Sequence, residues 1–267
     1  MDATVSWISI APVKGMRMQE LAEVELTRHG AIDDRVFFLV GDDGAMVSAT
    51  RLGPLLEIVP EYRSDDADRH LTLNFPDGSV VQGPIEPEAP IDVTFYGLEL
   101  NVRPVAGPFS DAVSQHCGVD LRLVESPENR SGVDRGAIAG ATLLGVGSLS
   151  RLEEAAAGAG QPGRIDPRRF RMNFGIDGIE PHEEDGWIDR LVEIGDAQIQ
   201  IHERVGRCAA TTRDPDVGNV DLKTLHHIRS YRGKSDSPEP LPFGVFASVR
   251  RPGTVRLSDP VVPAPPA

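Results

Sequence analysis

The sequence predicts a mixed α/β fold that is rich in β-strands. Short apolar segments separated by turn residues fill the first hundred positions, a pattern typical of a small barrel or sandwich. Segments with helical spacing begin only later, where they alternate with further strands. We therefore divide the chain into a β-rich part (residues 1–105), a mixed part with peripheral helices (residues 106–259) and a flexible Pro-rich tail (residues 260–267).

Turn signals delimit the strands of the first part. Asp42-Asp43-Gly44 and Pro76-Asp77-Gly78 each stand between two apolar segments, which is typical of a hairpin. Residues 83–90 contain three prolines and are expected to form a loop. The expected strands are residues 5–11, 23–27, 35–40, 45–48, 71–75 and 79–82.

Three helices are expected in the second part. Residues 110–117 and 148–157 start at serines and are followed by glycines, and the serine at each start is a favourable N-cap. Residues 221–231 carry apolar side chains at helical spacing. The expected strands between these helices are residues 168–176, 191–194 and 197–202.

The charge and composition exclude several classes of protein. The formal net charge is −14, from 27 basic and 41 acidic residues, so most of the surface should repel nucleic acid and anionic membranes. No apolar run approaches the roughly 18 residues of a membrane span, and the first residues do not form a signal peptide. Two cysteines argue against a disulfide framework. We expect a cytoplasmic protein, in which any local group of basic residues is informative.

Cys208 is the most prominent candidate for chemistry. It stands beside Arg207, close to Arg213, and the turn residues that begin at Asp214 follow. Nearby guanidinium groups stabilise a thiolate, which is a soft metal ligand and a nucleophile. The alternative is a buried structural cysteine that packs as a small hydrophobe.

A second candidate is the basic segment around Arg171. In a strand, Arg169, Arg171 and Asn173 would share one face, and the apolar residues between them would enter the core. Two guanidiniums on one face match phosphate or carboxylate groups. The alternative is a solvated face of an amphipathic strand.

Weaker candidates lie elsewhere in the chain. Lys14 follows the first strand and Arg35 precedes a later one, so both could contact an anion. Asp185 belongs to an acidic segment that ends at Trp187 and could form the rim of a site. His226 and His227 are adjacent on a helix and point roughly 100° apart, so they cannot share a metal ion. Cys117 lies in a predicted helix and is expected to be part of the core.

Taken together and in order, several of these segments resemble the MOSC superfamily, and in particular its amidoxime-reducing-component branch. The resemblance covers nearly the whole chain. The matching segments are Ile10-Ala11-Pro12-Val13-Lys14-Gly15, Gly30 with Asp34-Arg35, Arg169-Phe170-Arg171-Met172-Asn173, Glu184-Asp185-Gly186-Trp187, Arg207-Cys208-Ala209-Ala210-Thr211-Thr212 with the Asp-Pro-x-x-Gly turn after it, and the closing stretch from Leu225 to Asp259.

The resemblance implies an N-terminal β-barrel-like domain followed by a MOSC β-barrel domain, with a molybdenum–pterin cofactor (molybdopterin) at their junction. Carried over by position, Cys208 would be the metal ligand and a catalytic residue, and Asp185 would lie near the entrance as a second catalytic residue. The residues implied to bind the cofactor are Lys14, Arg35, Arg169, Arg171, Asn173, Arg207, Cys208 and Thr211.

The chain departs from the family pattern at positions that usually carry hydroxyl groups. Ile138, Ala139 and Gly206 stand there instead, and Val217 replaces a frequent threonine. We expect backbone N–H groups of residues 136–140 or of Gly206 to take over the lost hydrogen bonds, because glycine permits close approach.

The resemblance implies a molybdenum-dependent oxidoreductase that reduces N-hydroxylated or N-oxide small molecules with electrons from a separate protein. Two alternatives stay open at the level of the sequence. One is a cofactor carrier or sulfur-handling module that uses Cys208 without turning over substrate. The other is a MOSC fold that serves a biosynthetic pathway without molybdenum.

Overall fold

The computed structural model describes residues 2–65, 68–127, 136–161, 163–233 and 240–265. In these residues the chain forms short strands with three α-helices between them. The elements are β1 (Thr4–Ile10), β2 (Gln19–Leu21), β3 (Glu23–Thr27), β4 (Gly30–Ala31), β5 (Phe37–Gly41), β6 (Met46–Val47), β7 (Val59–Asp65), β8 (Asp68–Asn74), β9 (Val80–Pro84), β10 (Ile91–Phe95), β11 (Leu98–Pro104), α1 (Phe109–Cys117), β12 (Leu121–Glu125), β13 (Ala141–Gly145), α2 (Val146–Gly158), β14 (Phe174–Asp177), β15 (Leu191–Ile194), β16 (Ala197–Arg204), α3 (Thr224–Arg232), β17 (Val245–Arg251), β18 (Gly253–Arg256) and β19 (Val261–Pro263). This arrangement confirms the predicted β-rich, mixed α/β fold.

The largest sheet joins the two ends of the chain. Its eight strands lie in the order β19-β15-β16-β17-β13-β14-β1-β2, so the first strand of the chain pairs with β14 of the second half. A smaller sheet, β18-β3-β4, makes a second connection of the same kind. The apolar side chains of both sheets form one core cluster, which includes Trp187, Phe174 and Val255.

The remaining sheets enclose a second core. A five-stranded sheet has the order β10-β11-β12-β5-β6, and a three-stranded sheet has the order β7-β8-β9. Phe37, Leu55 and Leu123 pack between them, together with α1. Since β12 lies beyond residue 105 and both β1 and β3 pair with late strands, the sheets do not separate at a single point of the chain.

The expected strand over residues 168–176 is wrong. Pro167–Phe170 forms a turn of 3₁₀-helix, Arg171 adopts the left-handed conformation at a φ of 55°, and β14 begins only at Phe174. Pro167 favours the first helical turn, and the side chain of Asp166 caps it by accepting a hydrogen bond of 2.8 Å from the backbone N–H of Arg168. Alternation therefore does not govern which side chains of this segment share a face.

The C-terminal segment also differs from the expectation. Val261–Pro263 forms β19 at the edge of the large sheet, where Val261 pairs with Ile194 and is buried. The buried Val261 side chain at the start of the proline-rich segment and the pairing with β15 both hold the segment against the sheet edge. Pro266 and Ala267, the end of the expected tail, lie outside the described residues.

The helices are where the sequence predicts them, although their starts differ by a few residues. Helix α2 begins at Val146 rather than at Ser148, and the Ser148 hydroxyl instead donates to the buried carboxylate of Glu184 at 2.7 Å. That carboxylate also accepts the Gly145 N–H at 3.3 Å, so it caps the helix from a distant part of the chain. No helix in the described part of the chain is both apolar and long enough to cross a membrane.

Candidate functional site

A cleft lies where the first and second parts of the chain meet. The first part contributes the turn after β1, the segment after β6 and the tip of the β10–β11 hairpin. The second part contributes the 3₁₀ turn before β14 and the segment after β16. The side chains that line the cleft are Lys14, Gly15, Arg35, Ser48, Ala49, Thr50, Tyr96, Thr142, Arg169, Phe170, Arg171, Met172, Val205, Gly206, Arg207, Cys208, Ala210, Thr211 and Phe246.

Among the described residues, the lining carries five basic side chains and no acidic one. The basic residues are Lys14, Arg35, Arg169, Arg171 and Arg207. This is a strong local excess in a chain with a formal net charge of −14. Because like charges in a partly buried cleft repel one another, the arrangement favours an anionic ligand that neutralises them.

The lining also includes hydroxyl groups that the sequence analysis missed. Ser48 and Thr50 follow β6, and Thr142 belongs to β13. Nothing in the sequence pattern singles out these three residues, because each of them reaches the cleft only through the tertiary fold. The hydroxyls of Ser48 and Thr50 can donate to an anion beside the basic side chains, whereas the buried Thr142 hydroxyl already donates to the Asn173 Oδ1.

Arg171 is the basic residue that most clearly lacks a partner inside the protein. Its Nη2 atom is buried and has no hydrogen-bond partner, although part of the residue faces the cleft. Burial lowers the pKa of its guanidinium to about 10, and the neighbouring charge of Arg35 acts in the same direction. A buried and unsatisfied guanidinium destabilises the protein unless a ligand compensates it.

Arg35 is held in place by a network beneath the cleft. It is ion-paired with the buried carboxylate of Asp34, and its Nη2 donates to the backbone oxygen of Arg171 at 2.7 Å. Asp34 also accepts hydrogen bonds from the backbone of Ala11 at 2.8 Å and from the Asn173 side chain at 2.9 Å. This network therefore fixes both Arg35 and the left-handed turn at Arg171.

Asn173 belongs to that network and does not line the cleft. Its residue is 1% exposed, and its side chain bridges Asp34 to Thr142, which donates to the Asn173 Oδ1 at 2.9 Å. The predicted shared face of Arg169, Arg171 and Asn173 is therefore wrong, because the segment is a 3₁₀ turn rather than a strand. Asn173 supports the cleft from below.

Arg207 is buried and makes hydrogen bonds only to neutral acceptors. Its Nε donates to the Phe243 oxygen at 2.8 Å, and its Nη1 donates to the Phe170 oxygen at 2.9 Å. Burial lowers the pKa of its guanidinium to about 9. No carboxylate among the described residues forms an ion pair with it, so its positive charge is available to the cleft.

Arg169 differs from Arg171 and Arg207 because its charge is already compensated. It makes two hydrogen bonds of 2.7 Å to the carboxylate of Asp221. Such a bidentate pair fixes the orientation of the guanidinium. Arg169 therefore shapes the wall of the cleft more than it attracts an anion.

Cys208 lies at the surface of the cleft as an exposed thiol. It precedes a 3₁₀ turn, Ala209–Thr212, and its Sγ is 3.4 Å from the Thr50 Oγ1 of the first part of the chain. The Thr211 hydroxyl donates to the backbone oxygen of Cys208 at 3.0 Å, which stabilises the turn. The alternative of a buried structural cysteine does not describe this residue, because Cys208 is exposed.

Cys117, the other cysteine, has a different environment. It is half-buried at the end of α1 and packs against the core of the first part. Burial raises the pKa of its thiol to about 11. This agrees with the sequence interpretation of Cys117 as a core residue.

Lys14 reaches the cleft because the turn after β1 runs alongside β5. The backbone N–H of Lys14 donates to the Phe37 oxygen at 2.8 Å, and that of Arg35 donates to the Ala11 oxygen at 2.8 Å. The Lys14 Nζ lies 5.5 Å from the ring centre of Phe95 and 5.3 Å from that of Tyr96. Tyr96 was not predicted from the sequence as a site residue, although Tyr96-Gly97 forms the loop of a hairpin.

Asp185 does not line the cleft. Its carboxylate forms ion pairs with Arg204, at 3.0 Å, and with Arg232. The His182 Nδ1 accepts a hydrogen bond from the same Arg232, and burial lowers the pKa of His182 to about 4. The structure thus places Asp185 in a separate cluster, where two guanidiniums compensate its charge.

The segment that lacks the family's hydroxyl groups also lies outside the lining. Gly136–Ala139 forms a 3₁₀ turn, Ala139 is buried in an apolar cluster, and the Gly140 oxygen accepts the Ala31 N–H at 3.1 Å. Gly206 alone of the departures lines the cleft. The described residues contain no group of three or more His, Cys, Asp or Glu side chains that could hold a metal ion.

Comparison with known proteins gives matches along most of the chain. The model of the MOSC N-terminal β-barrel domain matches residues 2–116, and the model of the MOSC domain matches residues 143–262. Mitochondrial amidoxime-reducing component 1 of Mus musculus is 30% identical over 97% of this chain and 81% of its own length. The corresponding human protein is 28% identical over 97% and 82%, and component 2 of Rattus norvegicus is 26% identical over the same shares.

Among solved structures, the YUAD protein of Bacillus subtilis aligns over 100% of this chain and 98% of its own with a TM-score of 0.44 and 14% identity, too distant a likeness to bear on the site. The two domain matches and the identity to the mouse protein are sufficient to place the chain. The chain belongs to the MOSC family, and it has the MOSC N-terminal β-barrel domain in front of its MOSC domain.

Proposed function

We propose that the protein is a molybdenum-cofactor-dependent oxidoreductase that reduces N-hydroxylated or N-oxide small molecules with electrons from a separate protein. The observation that carries the proposal is the cleft itself, which combines five basic side chains, no acidic side chain and an exposed thiol. The names of the relatives as amidoxime-reducing components support the choice of reaction.

The residues present fit an anionic cofactor that carries a soft metal. The buried Nη2 of Arg171 lacks a hydrogen-bond partner, and a phosphate oxygen is an acceptor that would satisfy it. Arg35, Arg171 and Arg207 would hold the anionic end of a pterin cofactor, and Lys14 would add charge at the mouth of the cleft. Cys208 would bind the metal through its thiolate, the form that soft metals prefer.

Bound in this cleft, the cofactor would supply the electron and oxygen-atom transfer chemistry. The protein would position it and balance its charge. The buried charges of Arg171 and Arg207 destabilise the protein less when an anion neutralises them, so part of the binding free energy comes from this compensation. The Asp34 network keeps Arg35 and the Arg171 turn in position before the cofactor arrives.

The test begins with the two cysteines, which serve as matched variants. We expect Cys208→Ser to fold normally, since its side chain is exposed, and to lose most of its molybdenum in a host that makes the cofactor. Cys117→Ser should keep its molybdenum because Cys117 lies in the core of the first part. Elemental analysis and pterin fluorescence measure both contents, and equal metal in the two variants contradicts the role of Cys208.

Activity then separates an enzyme from a carrier. We expect the loaded wild-type protein to reduce an amidoxime when an artificial donor supplies electrons. Protein that holds molybdenum and pterin yet reduces neither an amidoxime nor an N-oxide would be a carrier, and the reaction proposed here would be wrong. Protein that binds no pterin under these conditions would be a MOSC fold with another ligand.

A further inference from the structure

The tip of the β10–β11 hairpin has an unusual residue in a strained position. Phe95 and Leu98 form the last pair of the two strands, so Tyr96 and Gly97 alone form the loop. Both adopt left-handed conformations, with φ values of 49° and 82°. Such two-residue loops favour Asn or Asp before Gly, because a side chain larger than these is strained in this region.

The strained position places the aromatic ring at the mouth of the cleft. Tyr96 lines the cleft and is 54% exposed. Its ring centre lies 5.3 Å from the Lys14 Nζ and 5.3 Å from the centre of the buried Phe95 ring, which it meets edge to face. The ring is thus supported from inside the protein while more than half of the residue's surface remains accessible.

Burial does not explain the choice of a tyrosine here. An exposed ring contributes little apolar burial, and the loop would be less strained with asparagine. Strained residues that persist at the edge of a site commonly serve that site. Tyr96 and Cys208 both line the cleft with Arg171, and both interact electrostatically with its guanidinium.

We propose that Tyr96 selects the substrate by stacking its ring against a planar, conjugated group, so that aryl N-hydroxylated compounds bind in preference to alkyl ones. The inference rests on the proposed function, because it assumes that the N-hydroxylated group is directed toward the metal at Cys208. Lys14 holds the ring through its contact with the aromatic face and keeps it oriented across the mouth of the cleft. A flat substrate would find its stacking surface already formed.

The chain offers three variants that separate the ring from the loop. Tyr96→Asn gives the loop its preferred residue and removes the ring, so it should melt at or above the wild-type temperature. Tyr96→Phe keeps the ring and removes only the hydroxyl. Leu98→Asn is a matched control, since Leu98 is 46% exposed on the same hairpin and is not part of the cleft lining.

Binding is measured by calorimetry on the cofactor-loaded protein without an electron donor, with an aryl amidoxime and an alkyl amidoxime of the same charge as probes. Stacking on an aromatic side chain corresponds to about two- to ten-fold in affinity. We expect Tyr96→Asn to bind the aryl probe weaker by about that factor and to bind the alkyl probe as the wild type does. Tyr96→Phe and Leu98→Asn should bind both probes as the wild type does.

Turnover with an artificial donor provides the second measurement. For the aryl probe, Tyr96→Asn should raise KM and leave kcat nearly unchanged, because the ring contributes to binding and not to the reacting atoms. The proposal is overturned if Tyr96→Asn keeps the wild-type preference for the aryl probe, or if it loses affinity for both probes equally. A loaded wild-type protein that reduces neither probe defeats the proposed reaction instead, and the binding ratio still decides the role of Tyr96.

Discussion

Removing the guanidinium of Arg171 should make the empty protein more stable. Arg171→Met keeps a long apolar side chain of similar reach and takes away a buried charge whose Nη2 has no hydrogen-bond partner. The folded-state pKa of about 10 lies below the value in the unfolded chain. The unfolded chain therefore holds this proton more tightly, and the charge lowers the free energy of unfolding at every pH below about 10.

The size of the effect follows from that difference in pKa. A depression to about 10 corresponds to roughly 3 kcal/mol against the charged form in the folded state. Part of the residue faces the cleft, where solvent screens the charge, so we expect about 1–3 kcal/mol of added stability. In a chain of this length that is a rise of about 2–10 °C in Tm.

Thermal unfolding of the cofactor-free protein measures the effect. Arg168→Met is the matched control, three residues away, because Arg168 forms ion pairs with Asp166 at 2.6 Å and Asp216 at 2.9 Å. These hydrogen bonds raise the pKa of Arg168, so its removal should lower Tm. In addition, millimolar phosphate should raise the Tm of the wild type and leave that of Arg171→Met nearly unchanged.

A lower Tm for Arg171→Met would refute this reasoning. It would mean that Arg171 stabilises its own left-handed turn and that its charge is compensated inside the protein. Equal stabilisation of wild type and variant by phosphate would place the anion elsewhere in the cleft.

Two further predictions concern groups around the cleft and beyond it. Asp34→Asn should lower the free energy of unfolding by roughly 3–5 kcal/mol, because it leaves the buried guanidinium of Arg35 without its ion-pair partner. Asp33→Asn is the control and should change the free energy of unfolding little. Urea unfolding at neutral pH measures both variants. His182→Asn should reduce the loss of stability between pH 6.5 and 4. Burial and Arg232 lower the pKa of His182 to about 4, so the unfolded chain binds the proton before the folded protein does as the pH falls, and the wild type loses stability over this range. Urea unfolding of both proteins at several pH values measures the difference. If the two proteins lose stability in parallel over that range, His182 is not the titrating group.

Much of the site could be predicted from the sequence because the chemistry is local there. Cys208 with Arg207 and the turn after it, and Lys14 after the first strand, already mark the two sides of the cleft. Alternation could not decide the conformation of the segment around Arg171, since an R-F-R-M-N run fits both a strand and one turn of 3₁₀-helix. Asp166-Pro167 is the signal that decides for the turn, and it stands outside that run.

Other parts of the site depend on contacts that a sequence does not contain. The Asn173 side chain donates a hydrogen bond to Asp34, which lies 139 positions away in the sequence. Asn173 was predicted to contact the cofactor, but in the structure it supports the cleft from below. Asp185 meets Arg204 at the end of β16 and Arg232 at the end of α3. The hydroxyls of Ser48 and Thr50 enter the cleft through the turn after β6, so the loss of hydroxyls at Ile138, Ala139 and Gly206 does not leave the cleft without them.

The loops that follow Thr50 and Cys208 touch through their backbones. Gly53 lies three residues after Thr50 and Gly218 lies ten residues after Cys208, and a methyl group added to either glycine would collide with the backbone oxygen of the other. Arg213 closes the same contact by donating to the Gly218 oxygen at 2.7 Å.

A contact between two main chains does not depend on side-chain rotamers. The separation of the two loops at this contact is therefore set by peptide geometry, and a change of side-chain conformation cannot adjust it. A loop taken from a relative that carries a larger residue in place of Gly53 or Gly218 would thus change the separation of the two loops, even if each residue that lines the cleft were kept.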